Sequence, residues 1–284
     1  MKKFAFIFAL SIASITVKAQ EPVLFKLKFL PDHSYKATMK MAMDMQITGV
    51  PVKKTKAKTT KPESMNTKME MSMKFDIKTG AVVPANTFPV IMKYDDMTLK
   101  MVMNNKEMPS TKNPLVGQVI YGQSDLDGKF QIDSIAGMGA NEQMKTMMTQ
   151  MVNKLQGEVK FPEHALKIGE SFTQEMPITF PSGAMSLNMM AKMTYKLISI
   201  NANLAYFDTN ITMNFGADVP KNGGVKMTGT GAGKGKMIYN IGESYFNSMT
   251  QNLDLTYNMV MGDKGKMGAK MKMVTDVENV ISRN

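Results

Sequence analysis

Met39-Lys40-Met41-Ala42-Met43-Asp44-Met45-Gln46-Ile47 decides the fold, because its large apolar residues recur at every second position with small or polar residues between them. Successive side chains of a β-strand point to opposite faces, so this spacing builds one apolar face and one polar face. A helix would scatter the same methionines around its circumference. The spacing returns at Met69, Met71, Met73, Phe75 and Ile77, at Met271 and Met273, and in Leu24 to Leu30. Turn residues punctuate these runs: Asp127-Gly128 between Leu126 and Phe130 is a favoured hairpin turn, and Gly183, Asn222-Gly223-Gly224 and Gly262-Asp263 break the second half similarly. The expected fold is mainly β, with antiparallel curved sheets arranged as two related modules or one open barrel.

One segment changes period. Met144, Met147, Met148, Met151, Val152 and Leu155 recur at three and four, which gives a helix one apolar stripe. Asn141 caps its start and Gly157 its end, so an amphipathic helix is expected over 141–156, packed on a sheet face. The implied organisation is a signal segment at 1–19, a first β module at 20–139, a connecting helix at 140–157 and a second β module at 158–284. Similar segments recur in order on both sides of the helix, Met69 to Ile77 with Met189 to Ile198 and Leu115 to Gln131 with Met227 to Ser244, as an internal duplication would produce.

Residues 1–19 have the three parts of an export signal: Lys2 and Lys3, the apolar run Phe4 to Ile15, and Val17-Lys18-Ala19 as a small-residue cleavage site. The apolar run falls short of the ~20 residues a spanning helix needs, so cleavage and a periplasmic or secreted product are expected, with no membrane span afterwards. The chain has no cysteine, which excludes disulfides, thiolate metal sites, a cysteine nucleophile and a lipidated cysteine anchor.

Formal charge is +11, and loss of Lys2, Lys3 and Lys18 leaves the mature chain basic. Arg283 is the only arginine, and lysine lacks the planar fork that reads phosphates and bases bidentately, so specific nucleic-acid recognition is not expected. The densest basic run, Lys53, Lys54, Lys56, Lys58 and Lys61, reads as a solvated loop and as a candidate contact for an anionic surface.

Methionine dominates the chemistry, with 33 residues in the chain. Unbranched thioether side chains repack around varied partners, which suits a core and equally a pocket for an apolar or amphipathic ligand. The candidate lining is Met39, Met41, Met43, Met69, Met71 and Met73 from strands with Met144, Met148 and Met151 from the helix. Two alternatives stand beside a hydrophobic carrier: a structural or surface-interaction protein with a filled core, and Cu(I) held by thioether sulfur. Copper would need sulfurs converging from different strands, since neighbours on one strand face are ~6.6 Å apart. His33 and His164, each beside proline and acid, read as exposed turn residues and not as metal ligands. No resident cofactor is expected.

The other motifs point to structure. Gly229, Gly231, Gly233 and Gly235 alternate on one strand face with no helix following to hold phosphate, so they bend the sheet or admit a closely packed element, for which the methionine helix is the candidate. Asp125-Leu126-Asp127-Gly128 begins like a calcium loop but lacks its later ligands. Asp95 and Asp96, adjacent on a strand, face opposite ways. With no Gly-x-Ser-x-Gly elbow either, no enzymatic activity is expected.

The signal ending Lys18-Ala19-Gln20, the lysine-heavy composition and the phrase Phe161-Pro162-Glu163-His164-Ala165-Leu166-Lys167-Ile168-Gly169-Glu170-Ser171-Phe172 resemble an uncharacterised family of exported Bacteroidetes proteins, over most of the mature chain. The resemblance implies a two-part β protein and supplies no catalytic residues. The expected arrangement of curved sheet and helix is similar to the half-barrels that carry lipids or lipoproteins across a periplasm. That similarity implies a lipid or other apolar ligand as partner, with the helix as lid or plug.

Overall fold

The computed structural model describes residues 21–50, 63–109, 116–136, 161–182, 185–219, 225–261 and 266–284. Twelve strands form one antiparallel sheet: β1 (His33–Val50), β2 (Glu63–Thr79), β3 (Thr87–Met103), β4 (Lys106–Glu107), β5 (Val119–Asp125), β6 (Phe130–Ala136), β7 (Ser171–Ser182), β8 (Met185–Asn201), β9 (Leu204–Val219), β10 (Val225–Asn240), β11 (Tyr245–Met261) and β12 (Lys266–Arg283). The spatial order is β6-β5-β3-β2-β1-β12-β11-β10-β9-β8-β7, with β4 paired to the end of β3. Each half of the chain is a meander, and the two halves join where β1 pairs with β12 from His33↔Arg283 to Thr48↔Gly268. Of the two expected arrangements the protein has the single open sheet, in which β6 and β7 are edges and do not close on each other.

The period-two reading holds along the long strands. On β1, Tyr35 and Ala37 are buried, Met39, Met41, Met43 and Met45 half-buried and Ile47 buried, while Lys36, Lys40, Ala42, Asp44 and Gln46 between them are exposed. Prolines 177 and 181 lie on edge strand β7, where their missing N–H groups break no ladder and discourage a further strand.

The expected strand Leu24 to Leu30 is not one. No residue in it pairs in a ladder; the contact nearest to it is an isolated bridge between Val23, just before it, and Leu166. The segment crosses the apolar face near one end of the sheet as a strap, with Phe25 buried and Phe29 half-buried. Its backbone is satisfied by side chains and turns: the Tyr239 hydroxyl donates to the Lys26 carbonyl, the Leu30 N–H donates to the Tyr35 hydroxyl at 2.7 Å, and the Lys28 N–H donates to the Ser244 carbonyl at 3.1 Å. The alternation does mark the buried side at Phe25, but the segment joins no strand, and its backbone partners are tyrosines and a turn.

The strap also reports the curvature. Phe29 stacks on Tyr245 of β11 at 5.7 Å between centroids and meets Phe130 of β6 edge-on at 6.4 Å. Those strands are six steps apart in the sheet, about 29 Å if it were flat. One ring can touch both only because the sheet curls strongly with its apolar face concave. Lys28 bridges the same gap, its Nζ donating to the Leu126 carbonyl in the β5–β6 turn at 2.8 Å.

Two aromatic clusters fill this end. Phe25, Phe172, Tyr195, Leu197, Phe207 and Tyr239 form one, with Phe161 packed against it, and Tyr35, Ile77, Phe88, Val90, Ile120 and Phe130 form the other. The signal segment 1–19, the lysine run 53–61 and the expected helix 141–156 lie outside the described residues.

Candidate ligand-binding face

The register stacks the concave face into lateral rows. Nearest the strap, Leu197, Phe207, Met237, Met249, Val277, Met39, Met73 and Met97 stand side by side from β8 to β3. The next row is Tyr195, Thr209, Gly235, Gln251, Thr275, Met41, Met71 and Leu99. Then come Met193, Ile211, Gly233, Leu253, Met273, Met43, Met69 and Met101, followed by Ala191, Met213, Gly231, Leu255, Met271, Met45, Thr67 and Met103. The last complete row before the far end is Met189, Phe215, Gly229, Tyr257, Ala269, Ile47 and Met65. None of these rows contains a charged residue.

The structure therefore brings the six strand methionines of the predicted lining together as three cross-strand pairs, Met39 with Met73, Met41 with Met71 and Met43 with Met69. All six are half-buried. Met144, Met148 and Met151 lie outside the described residues; the described residues form an open apolar face, and no enclosed cavity bordered by helix and strand methionines is shown. Among the described elements, substantial contacts run only between sheet neighbours.

The glycine stripe of β10 is filled by its neighbours' side chains. A Cβ at Gly229 would lie 2.1 Å from the Phe215 ring, at Gly231 2.2 Å from Leu255 Cδ2, and at Gly233 2.2 Å from the Asn252 carbonyl oxygen and 2.9 Å from Ile211 Cγ2. Over Gly235, the Thr209 hydroxyl of β9 donates to Gln251 Oε1 of β11 at 3.0 Å, a contact between strands two steps apart. The glycines thus let β9 and β11 lean together and tighten the curl, which is the role sequence reasoning had offered to a helix. Tyr257 donates to Met45 Sδ at 3.6 Å. Gln251 Nε2 and the Thr67 hydroxyl, both buried on this face, have no hydrogen-bond partner among the described residues.

Electrostatics follow burial. Tyr35, Tyr195 and Tyr239 have phenol pKa values pushed up to about 12, chiefly by burial, partly offset at Tyr35 and Tyr239 by the backbone bonds at Leu30 and Lys26. Burial raises Tyr245 further, with the neighbouring Tyr35 adding to it. These phenols stay neutral, and those of Tyr35 and Tyr239 serve as hydrogen-bonding partners for the strap backbone.

His33 departs from the sequence expectation. Its side chain is 12% exposed, with Nδ1 at 2.6 Å from the Pro31 carbonyl and Nε2 at 3.1 Å from Glu243 Oε2, so it pins the start of β1 to the β10–β11 turn. His164 is exposed as expected. Asp125 Oδ1 accepts the N–H groups of Asp127 and Lys129 at 3.0 and 2.8 Å, a turn that uses the carboxylate internally. A register shift between Lys74 and Phe75 leaves Asp95 in a bulge, exposed like Asp96 and paired with Lys93 at 2.9 Å, in place of the opposed facing expected for a regular strand. No group of three His, Cys, Asp or Glu side chains suited to a metal occurs among the described residues.

The outer face is hydrophilic, with exposed Lys40, Lys74, Asp208, Lys236, Asp254 and Lys272 among its charges. A membrane-spanning β-barrel shows the reverse, apolar outside and polar inside. Among the described residues no helix is long and apolar enough to cross a membrane.

What sequence reasoning missed is the closed end. Phe25, Phe29 and Phe161 stopper the concavity there, and their spacing in the sequence gives no sign that they meet strands from both halves. The available signal was slight: Phe25 and Phe29 in the short stretch before β1, four residues apart.

No protein-family model and no curated protein matches the sequence. Among solved structures the chain is similar to lipovitellin, in a structure concerned with its lipid–protein interactions, at a TM-score of 0.46 and 12% identity over 90% of this chain. The chain spans about a quarter of that protein's length, 26%. It is also similar to Pseudomonas aeruginosa OccK5 (TM-score 0.25, 6% identity, 89% of this chain and 99% of that one) and to a BenF-like porin from Pseudomonas fluorescens (0.21, 8%, 89% and 100%). Likenesses at these scores carry no argument, and the functional reading rests on the concave face alone.

Proposed function

We propose that this chain is an exported, non-enzymatic binding or carrier protein that holds a hydrophobic or amphipathic ligand against its methionine-lined concave face. The observation that carries the reading is the uncharged, half-buried face of adjacent methionine rows beyond the aromatic stopper. A core packed only for stability favours branched and aromatic side chains that lock into single rotamers, as this protein uses at its closed end. Methionine rows on a concave surface supply adaptable apolar contact instead. The export signal at 1–19 would place the protein in a periplasm or outside the cell.

Native mass spectrometry of the mature protein, prepared without detergent and followed by denaturing analysis of what is released, tests the proposal. A bound apolar molecule of defined mass supports it. A clean unliganded mass that persists after incubation with lipids overturns it in favour of a filled-core interaction protein.

A second reading, thioether Cu(I) binding, is supported by one observation: the register sets Met273, Met43, Met69 and Met101 on four adjacent strands about 4.8 Å apart, so thioethers of neighbouring strands stand beside one another. Anaerobic Cu(I) titration against a competing chelator separates the two readings. Retention of one Cu(I) by the wild type and its loss in the Met43→Leu, Met69→Leu double variant would establish it.

A further inference from the structure

We infer that the second row of the concave face receives an uncharged carbonyl oxygen of the ligand, such as that of an acyl ester, on the side-chain amide of Gln251. The inference rests on the proposed apolar-face function and adds the polar group that such a ligand carries and where it lies.

The row runs Thr209, Gly235, Gln251 and Thr275 across β9 to β12. It lies between one row containing Met237, Met249 and Met39 and another containing Ile211, Leu253 and Met273. Those two rows hold no polar side chain, and the rows beyond hold at most one hydroxyl each and no amide.

Gln251 is 6% exposed and Thr209 1%. The Thr209 hydroxyl donates to Gln251 Oε1 at 3.0 Å, which satisfies that oxygen and leaves the two N–H groups of Nε2 without an acceptor. Buried polar groups nearly always have partners, so an unpaired buried amide donor marks a place where an atom of another molecule belongs. Stability alone would favour leucine or methionine here, as at Met249 and Leu253 two residues to either side on the same strand face.

Gly235 completes the site. A Cβ there would stand 2.7 Å from Gln251 Oε1 and 2.8 Å from Thr209 Oγ1, so glycine on β10 leaves the space in which hydroxyl and amide meet. Their bond holds Oε1 toward β9 and fixes Nε2 as the donor. Nε2 is shielded from water, and a ligand oxygen reaches it by parting side chains. Met249, Met273 and Met41 occupy adjoining positions, and unbranched thioethers change rotamer without moving the backbone.

The oxygen has to be uncharged. No row of the face holds a cation, and a carboxylate or phosphate set here would lose its hydration with no counter-charge in return. A carbonyl oxygen accepts N–H bonds without carrying a charge into the face. From this row to that of Tyr257 and Ile47 the strands rise ~20 Å over mainly apolar side chains, along which the alkyl part of the ligand can lie. In the other direction the aromatic stopper begins one row away.

The test loads the mature protein with an equimolar mixture of methyl palmitate and octadecane, a chain of similar length without oxygen, removes the excess and quantifies what is retained by gas chromatography. The expected result is methyl palmitate favoured about fivefold, as one net hydrogen bond supplies. With an isotope-labelled ester, the infrared carbonyl band of the bound molecule should lie below its position in hexane. A second mixture, of methyl palmitate with ionised palmitate, should also favour the ester.

The Gln251→Met, Thr209→Val variant replaces both partners with apolar side chains of similar size, so it should fold at least as stably as the wild type. It should retain ester and alkane equally, with the carbonyl band unshifted. Thr67→Val removes a buried hydroxyl elsewhere on the same face and should keep the preference.

Equal retention of ester and alkane by the wild type, or a preference that survives in the double variant, overturns the assignment to Gln251 and leaves the apolar-face function standing. An unshifted band in the wild type means that water meets Nε2 and overturns the inference as well. Preference for ionised palmitate overturns the uncharged class, and retention of none of the three probes overturns both the inference and the function it rests on.

Discussion

The Tyr239 hydroxyl donates to the backbone carbonyl of Lys26, and the Lys26 N–H returns a contact to the same oxygen at 3.4 Å. A wall tyrosine thus does for the strap what a neighbouring strand does elsewhere. Tyr239→Phe keeps the ring among Phe25 and Phe161 but leaves both backbone groups of Lys26 without that partner. Lys26 is exposed and these bonds are only partly buried, so water can take the hydroxyl's place and the loss should be about 0.5–1.5 kcal/mol. The expected outcome is a lower midpoint in denaturant with unchanged slope, and faster hydrogen exchange at the Lys26 amide. An unchanged midpoint would mean that aromatic packing alone holds the strap.

The glycine stripe makes a graded prediction. A Cβ at Gly235 would lie 2.0 Å from the Thr250 carbonyl oxygen, which is backbone and cannot move without disturbing the ladder. At Gly231 the nearest atom, at 2.2 Å, is Leu255 Cδ2, the free end of a side chain that can change rotamer. Gly235→Ala should therefore cost about 1–3 kcal/mol or more, as overpacking does, and Gly231→Ala distinctly less. Equilibrium unfolding of the two variants gives the order, and the reverse order would show that the curl does not depend on close approach over β10.

Stability at high pH follows from the buried phenols. Tyr35, Tyr195 and Tyr239 have folded pKa values near 12, above the unfolded value of about 10. Below pH 10 both states keep these protons and the phenols add no pH dependence. Between about pH 10 and 12 the unfolded chain releases protons that the folded chain retains, so stability falls as pH rises. Unfolding midpoints measured across this range should drop steeply, with tyrosinate absorbance appearing together with unfolding. A tyrosinate signal that titrates near pH 10 in the folded protein would show these phenols to be solvent-accessible.

Much of this architecture could be read from alternation. Met39 to Ile47 and Met69 to Ile77 declared their faces, and the register then put the predicted methionine pairs beside each other, because one buried face fixes the register of a strand. Leu24 to Leu30 misled for a physical reason: alternation reports an extended backbone with one buried side, and does not say whether ladder partners or tyrosine hydroxyls satisfy it. His33 misled similarly, since the proline and acid beside it signalled a turn while its contact with Glu243 depends on a segment more than two hundred residues away. The curvature was unreadable because it depends on Phe29 meeting Phe130 and Tyr245 at once, and on side chains of β9 and β11 closing over glycines in β10.

The central claim, that the methionine rows are the ligand surface, is tested most directly by photocrosslinking with a phospholipid carrying a diazirine at the end of one acyl chain. After irradiation and digestion, adducts should map to concave-face residues such as Met41, Met43, Met69 and Met273, and unlabelled lipid should compete them away. Adducts confined to outer-face residues such as Lys40, Asp44 or Lys272, or labelling no greater than that by a water-soluble diazirine, would contradict the account.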